Sequence, residues 1–360
     1  MDTPELLTHF NRLADAPGAI PRLRRLVLDL AVRGKLVAQD PGDEPAVAPS
    51  DVLPRGWRWM RLQELGSLKG GGTPSKACEE YWTGEIPWVS PKDMKIDYID
   101  AAQMSISRRA IQESAVQMIP RNSILFVVRG MILAHSFPVA IAKAPLTINQ
   151  DMKALVLDQP EFSEYILRAL KGLTPAILRH VQRSSHGTCR IESVHYMNFI
   201  IPIPPLAEQH RIVAKVDELM GLLDQIEARQ TAREATRRQL TAASLARLST
   251  SDTSPDELRD HARFLLDYLP AHTTRRDQIK QLRQTILNLA VRGRLVPQEA
   301  TSTDACSDSK PGLPAGWRKV RLRDLGMLKG GGTPSKSRDD FWAGDIPWVS
   351  PKDMKTDYIH

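Results

Sequence analysis

The sequence predicts a mixed α/β (α+β) domain, long coiled-coil-like helices after it, and then the opening of a second, incomplete copy of the same domain. Three observations carry this. Leu53–Asp100 returns as Leu313–His360 with an offset of 260 residues and 33 identities in 48 positions. Ile20–Asp40 returns as Ile279–Glu299 with 12 identities in 21. Between the repeats, Ile212, Val216, Leu219, Leu223 and Ile226 step by 4, 3, 4 and 3 residues, the 3.5-residue period of a coiled-coil seam. A repeat this long means duplicated domains rather than a solenoid of short units.

Taken in order, residues 1–40 form an N-terminal helical segment. Ile20–Arg33 carries apolar residues at 20, 23, 26, 27, 30 and 31, one greasy face at helical spacing, and Gly34 stands where a left-handed cap belongs. Prolines at 41, 45, 49 and 54 mark a linker. Residues 53–205 form the first domain, with strands expected near Trp57–Leu62, Ile86–Val89, Ser123–Val128, Val139–Ala142 and Lys153–Leu157. Thr73-Pro74 and Ser90-Pro91-Lys92-Asp93 read as helix starts, a hydroxyl cap followed by proline. Glu161–Gln182 reads as helix. Residues 206–298 are spacer helices: one continuing to about Leu248, roughly 66 Å long at 1.5 Å per residue, then Glu257–Tyr268 and Asp277–Arg292 with its own glycine at 293. Residues 313–360 are the N-terminal fragment of the second domain, expected to leave Leu322, Leu325, Trp342, Ile346 and Trp348 without their usual partners.

Composition narrows the class. The 360 residues carry a net charge of +7 and a pI near 9.3. Arginines cluster in particular stretches, which favours a polyanionic partner over a merely basic surface. No apolar run approaches the roughly 20 residues of a membrane span. No secretory signal opens the chain. Cys78, Cys189 and Cys306 show no metal spacing, which fits a reducing cytoplasm and no bound metal.

No catalytic motif is evident. Lys76 follows Ser75 and the glycines are contiguous, so the glycine-rich stretch is not a Walker loop. There is no GxGxxG after a strand, no methyltransferase-type Asn-Pro-Pro-aromatic motif, no paired acidic and lysine nuclease core, and no GxSxG. The chain therefore reads as a non-enzyme. Two accounts fit Lys69-Gly70-Gly71-Gly72-Thr73-Pro74-Ser75-Lys76. In one, a tight backbone and a helix N-terminus meet an anion, with Lys69, Thr73, Ser75 and Lys76 on phosphates; in the other, it is a plain turn between a strand and a helix. Because both copies share the loop, phosphate contact or scaffolding suits it better than base discrimination. Base readers are expected after Asp100, in segments that read as loops: Arg108, Arg109, Arg121-Asn122, Arg129, Arg183, Ser184, His186, Thr188 and Arg190. Asn149-Gln150 offer an adenine contact or a satisfied buried turn.

Ile201–Met220 (IPIPPLAEQHRIVAKVDELM), the two LAVRG(K/R)LV helices and the twofold GGGTPSK…IPWVSPKDMK opening together resemble the specificity subunit of type I restriction–modification enzymes, over nearly the whole chain. The resemblance implies target recognition domains that each read half of a bipartite site in double-stranded DNA. It implies long helices that hold the domains apart and dock modification (methyltransferase) subunits. S-adenosylmethionine, ATP and Mg are expected on those modification subunits and on a restriction (translocase/nuclease) subunit, with no cofactor in this chain. The departure is at His360, where the second recognition domain breaks off. A half-subunit that homodimerises through Ile212, Val216, Leu219, Leu223 and Ile226 to read a palindromic site, or a non-functional fragment, are the alternatives this raises.

Overall fold

The structure, a computed structural model, describes residues 16, 18–43, 53–183, 187–250, 254–273, 276–296, 317 and 319–354. The chain divides into two compact units, residues 1–236 and 237–360.

The first unit is built on a five-stranded mixed sheet in the order β2-β9-β6-β7-β4, where β2 is Gly66–Gly70, β4 Tyr98–Ile99, β6 Ile124–Val127, β7 Val139–Ala142 and β9 Met152–Leu157. The apolar run Ile-Leu-Phe-Val becomes β6, buried at all four positions between β9 and β7, as a continuous apolar strand requires. A second sheet, ordered β5-β3-β8, joins Met104–Ile106, Ile86–Val89 and Thr147–Ile148. The helix α2 (Arg108–Glu113) follows β5.

The ends of the domain meet. β1 (Arg58–Arg61) pairs antiparallel with β12 (Ile200–Ile203), Trp59 opposite Pro202. Proline is tolerated there because this sheet has only two strands and each is an edge. Helix α3 (Ser163–Gly172) buries Tyr165, Ile166, Leu167, Ala169 and Leu170 in the core. It also packs on α1 (Ala19–Val32), close enough that a Cβ on Gly172 would lie 2.8 Å from the Leu28 carbonyl oxygen.

The cap at Gly34 is as expected. Its φ is 63°, its N–H donates to Ala31 and that of Lys35 to Leu30. The repeat copies the device: Gly293 has φ 65° and donates to Ala290, while Arg294 donates to Leu289.

After β12 comes α6, Leu206–Ser249, 44 residues in one helix. Trp57 Nε1 donates to Glu208 Oε2 at 3.0 Å in a buried pair near its start. The expectation of an intermolecular seam is corrected here. Ile212, Val216 and Leu219 belong to the domain's own core, Leu223 packs with Ile20 and Leu23 of α1, and Ile226 leans on the same cluster. Arg24 of α1 adds ion pairs to Asp224 and Glu227 at 2.5 and 2.7 Å. These five residues thus close the chain on itself, and no second spacer is required to cover them. The period is legible in the sequence; the identity of the covering helix is not, because α1 lies about 190 residues away.

Three further expectations are corrected. Thr73-Pro74 starts no helix: residues 71–75 are irregular, and the first helical turn is the 3-10 segment Glu79–Trp82. Ser90-Pro91 opens a turn in which Asp93 accepts from both the N–H and the hydroxyl of Ser90 at 2.9 Å; the local cap forms without a helix behind it. Glu161–Gln182 is not one helix but α3, α4 (Thr174–Leu178) and the start of β10 (Val181–Arg183).

In the second unit, the last part of α6, α7 (Pro255–Asp267) and α9 (Arg276–Val291) share a small core of Leu245, Leu248 and Leu265, with Leu258, Ala262, Leu282 and Leu289 against it. Leu322, Leu325, Trp342, Ile346 and Trp348 are all exposed, as expected. Among the described residues no helix is long and apolar enough to cross a membrane, and no group of His, Cys, Asp and Glu could hold a metal ion. Cys306 lies outside the described residues.

Candidate nucleic-acid interface

Four chain segments converge at one end of the five-stranded sheet. β2 and β9 run antiparallel with Gly70 opposite Lys153, so the end of β2 meets the start of β9. The Val128 and Arg129 N–H groups, at the end of β6, both donate to the Asp151 carbonyl, at 2.9 and 3.1 Å. Arg129 in turn bridges Arg190 of β11 (Cys189–Ile191), and Gly130 N–H donates to the Cys189 carbonyl at 2.9 Å. β11 forms a hairpin with β10, Gln182 opposite Arg190. The result gathers Gly70–Thr73, Gln150–Lys153, Arg129 and the paired strands that carry Arg183 and Arg190, segments scattered over about 120 residues.

Within this row the side chains are specifically arranged. Thr73 and Gln150 hydrogen-bond to each other. Lys153 Nζ sits beside Gly70, 3.1 Å from where a Cβ would stand. Arg129 Nε donates to Asp151 Oδ1 at 2.5 Å. Asn149, buried, accepts the Asp151 N–H at 3.1 Å and donates to Asp151 Oδ2 at 3.4 Å; this is the satisfied turn, while Gln150 is exposed. Arg190 pairs with Glu192 at 2.7 Å, and Arg183 Nε donates to the Gly187 carbonyl at 3.4 Å.

The other nominated residues stand apart from that row. Lys69 lies on the face opposite Lys153 and reaches the Met118 carbonyl at 3.5 Å. Ser75 and Lys76 are exposed beyond the row; the Ser75 hydroxyl takes the Ala77 N–H, and its carbonyl takes Trp82 Nε1 at 3.1 Å. Arg108 and Arg109 are on α2, not in a loop. Arg109 is spent internally on Glu80 and Glu113; the hydrogen bond to Glu113 pushes the guanidinium pKa up and holds the carboxyl below its ordinary value. Thr188 is exposed in the hairpin, and Ser184 and His186 lie outside the described residues.

The glycines are not an open anion cradle. Gly72 N–H is already given to the Ile148 carbonyl at 3.0 Å, and a Cβ on Gly71 would stand 1.8 Å from the Asn149 carbonyl oxygen. Gly71 is glycine because two backbones touch there. Lys153 is a candidate that the sequence motifs do not single out, although one signal exists: it is the lone charge in the strand Met-Lys-Ala-Leu-Val-Leu and is only half-buried.

A mixed sheet domain with a basic row at one sheet end, its two ends sealed against a long helix, is the class that this fold and site define. Residues 54–235 match the family described as Type I restriction modification DNA specificity domain. The chain belongs to that family. Similar relatives include the type I restriction enzyme EcoR124I/EcoR124II specificity subunit of Escherichia coli, 39% identical over 47% of this chain and 42% of its own length. The MjaIX specificity subunit of Methanocaldococcus jannaschii is 29% identical over 48% and 40%. The EcoEI specificity subunit of Escherichia coli is 28% identical over 86% of this chain and 57% of itself. The chain thus spans about half the length of the relatives it matches. Among solved structures, the HsdS subunit from Thermoanaerobacter tengcongensis aligns at a TM-score of 0.42 and 21% identity, covering 63% of this chain and 50% of that one.

Proposed function

We propose that this chain is the DNA-reading component of a type I restriction–modification assembly, and that its first domain reads one short sequence in duplex DNA. The observation that carries the reading is the row at the sheet end: Lys153, Arg129, Arg190 and Arg183 are brought together from separate segments inside the stretch that matches the family. The relatives are named specificity subunits, which supports the same reading. Lysines supply point charges for phosphates and arginines supply forked donors for base edges. We infer further DNA contacts at Thr73, within the row, and at Lys69, Ser75, Lys76 and Arg108, which stand outside it. The chain does no chemistry of its own. Adenine methylation and restriction belong to modification and restriction subunits in the cytoplasm, with S-adenosylmethionine, ATP and Mg held by them.

The test is binding of duplex DNA by the full chain over a range of salt concentrations. Replacing Lys69, Lys76 and Lys153 with alanine should weaken every sequence alike and flatten the salt dependence by about one unit of slope for each phosphate no longer neutralised. An unchanged slope with an altered sequence preference would contradict this placement. Methyl transfer to DNA from labelled S-adenosylmethionine by the chain alone would refute the non-enzymatic reading.

A further inference from the structure

In the row at the sheet end, both Arg129 and Arg190 are tied to a carboxylate, Arg129 to Asp151 and Arg190 to Glu192, while the row's lysine, Lys153, stands beside Gly70. A carboxylate in a face that binds a polyanion costs affinity, so its presence calls for a function. The Arg129–Asp151 pair does not supply one through stability, since the arginine is half exposed and exposed ion pairs contribute little.

Its geometry suggests another. Asp151 is fixed from both sides: its carboxylate takes the Asn149 amide, its N–H gives to Asn149 Oδ1, and its carbonyl takes the N–H groups of Val128 and Arg129. Asn149 is itself buried. Arg129 meets this fixed carboxylate through Nε. That leaves Nη1 and Nη2, the two terminal nitrogens of the fork, outside the ion pair on a side chain that is half exposed.

Building on the DNA reading above, we propose that Arg129 is a base-reading residue and Asp151 its positioning residue. Asp151 holds the guanidinium plane so that its terminal pair meets the O6 and N7 acceptors of one guanine in the major groove. It also offsets the arginine's charge, so that Arg129 contributes little to binding of unrelated sequence. Arginine's bidentate match to guanine is the commonest specific contact in the major groove, and preorganisation removes the cost of ordering a long side chain on binding. The charge that drives indiscriminate binding is left to the lysines.

The experiment is selection of duplexes from a random library by the full chain assembled with a modification subunit, for wild type, R129K, D151N and K153A, with salt titrations on an unselected duplex. Wild type should enrich a guanine at one position. R129K keeps the charge and loses the fork; its preference at that position should fall roughly ten-fold or more, with the salt slope unchanged. D151N should lose the same preference and bind unselected DNA more tightly, with a slope steeper by about one unit, because a cation has been released. K153A should do the reverse, keeping the motif while weakening all sequences. Melting curves establish that each variant is folded, and R129K decides alone if D151N is not. Retention of the guanine by R129K, or a D151N motif and slope both equal to wild type, would overturn the inference while leaving the DNA reading intact. A wild-type assembly that enriches no sequence would bring down the DNA reading itself.

Discussion

Trp82 and Trp342 donate to the carbonyls of Ser75 and Ser335, at 3.1 Å in both copies of the repeated stretch. Trp88 and Trp348 reach back to Gly72 and Gly332 in the same way. Each pair of rings meets edge to face, with centroids 5.1 and 5.3 Å apart. Ser90–Asp93 and Ser350–Asp353 form the same cap. The sheet is where the copies part. Gly66–Gly70 is a strand paired with β9, while its counterpart, residues 326–330, forms none. Leu62 is 1% exposed and its counterpart Leu322 is 69% exposed. The residues that supply the partner strands in the first copy, 124–157, have no counterpart between 313 and 360. Contacts spanning fewer than about 20 residues are thus set by the shared sequence, while strand pairing depends on chain some 80 residues further on.

That comparison can be broken at its glycines. Gly71→Ala should destabilise the first unit by about 4 kcal/mol or more, since its Cβ would collide with the Asn149 carbonyl. Gly331→Ala should change stability by less than about 0.5 kcal/mol, because nothing lies within 4 Å of that site. Chemical denaturation of the two variants measures the difference; equal effects would mean that the first copy's strand does not depend on this close approach.

A smaller contrast lies at the first tryptophan of each copy. Trp57 is fully buried on Glu208, whereas Trp317 is exposed. Trp57→Phe removes the donor and leaves a buried carboxylate oxygen without its partner, a loss of about 1–3 kcal/mol. Trp317→Phe should be close to neutral. Melting temperatures of the two variants provide the check.

Glu208 itself sharpens the picture through pH. Burial raises its pKa above the ordinary 4.5, against the lowering hydrogen bond from Trp57. A carboxyl that holds its proton more tightly when folded contributes stability that is complete below pH 4.5 and is lost as pH rises through the raised pKa. Glu208→Gln should therefore gain on wild type as pH increases from about 4 to 7. A difference in melting temperature that stays constant across that range would contradict the assignment.

How much of this is legible in the sequence follows the same division between near and far. The repeat, the glycine caps at 34 and 293, the apolar strand at Ile124–Val127 and the long helix are all readable, because each is written in adjacent residues or a single period. The two-residue strands Tyr98–Ile99 and Thr147–Ile148 are not, since they exist only by pairing with β7 and β3. Of the candidate site, Arg129, Arg183 and Arg190 stand out by residue type and loop context, but their meeting with Lys153 depends on strand register. The helical spacing at Ile212–Ile226 is right in period, yet the partner it implies lies within the chain.

The proposed function gives sequence reading to residues 100–204 and leaves scaffolding and phosphate contact to the repeated opening. Replacing Asp100–Pro204 in the full chain with the equivalent stretch of a relative, followed by duplex selection in the presence of modification subunit, tests this most directly. The account predicts that the enriched half-site becomes the donor's. A half-site that stays with the recipient after the exchange would contradict it.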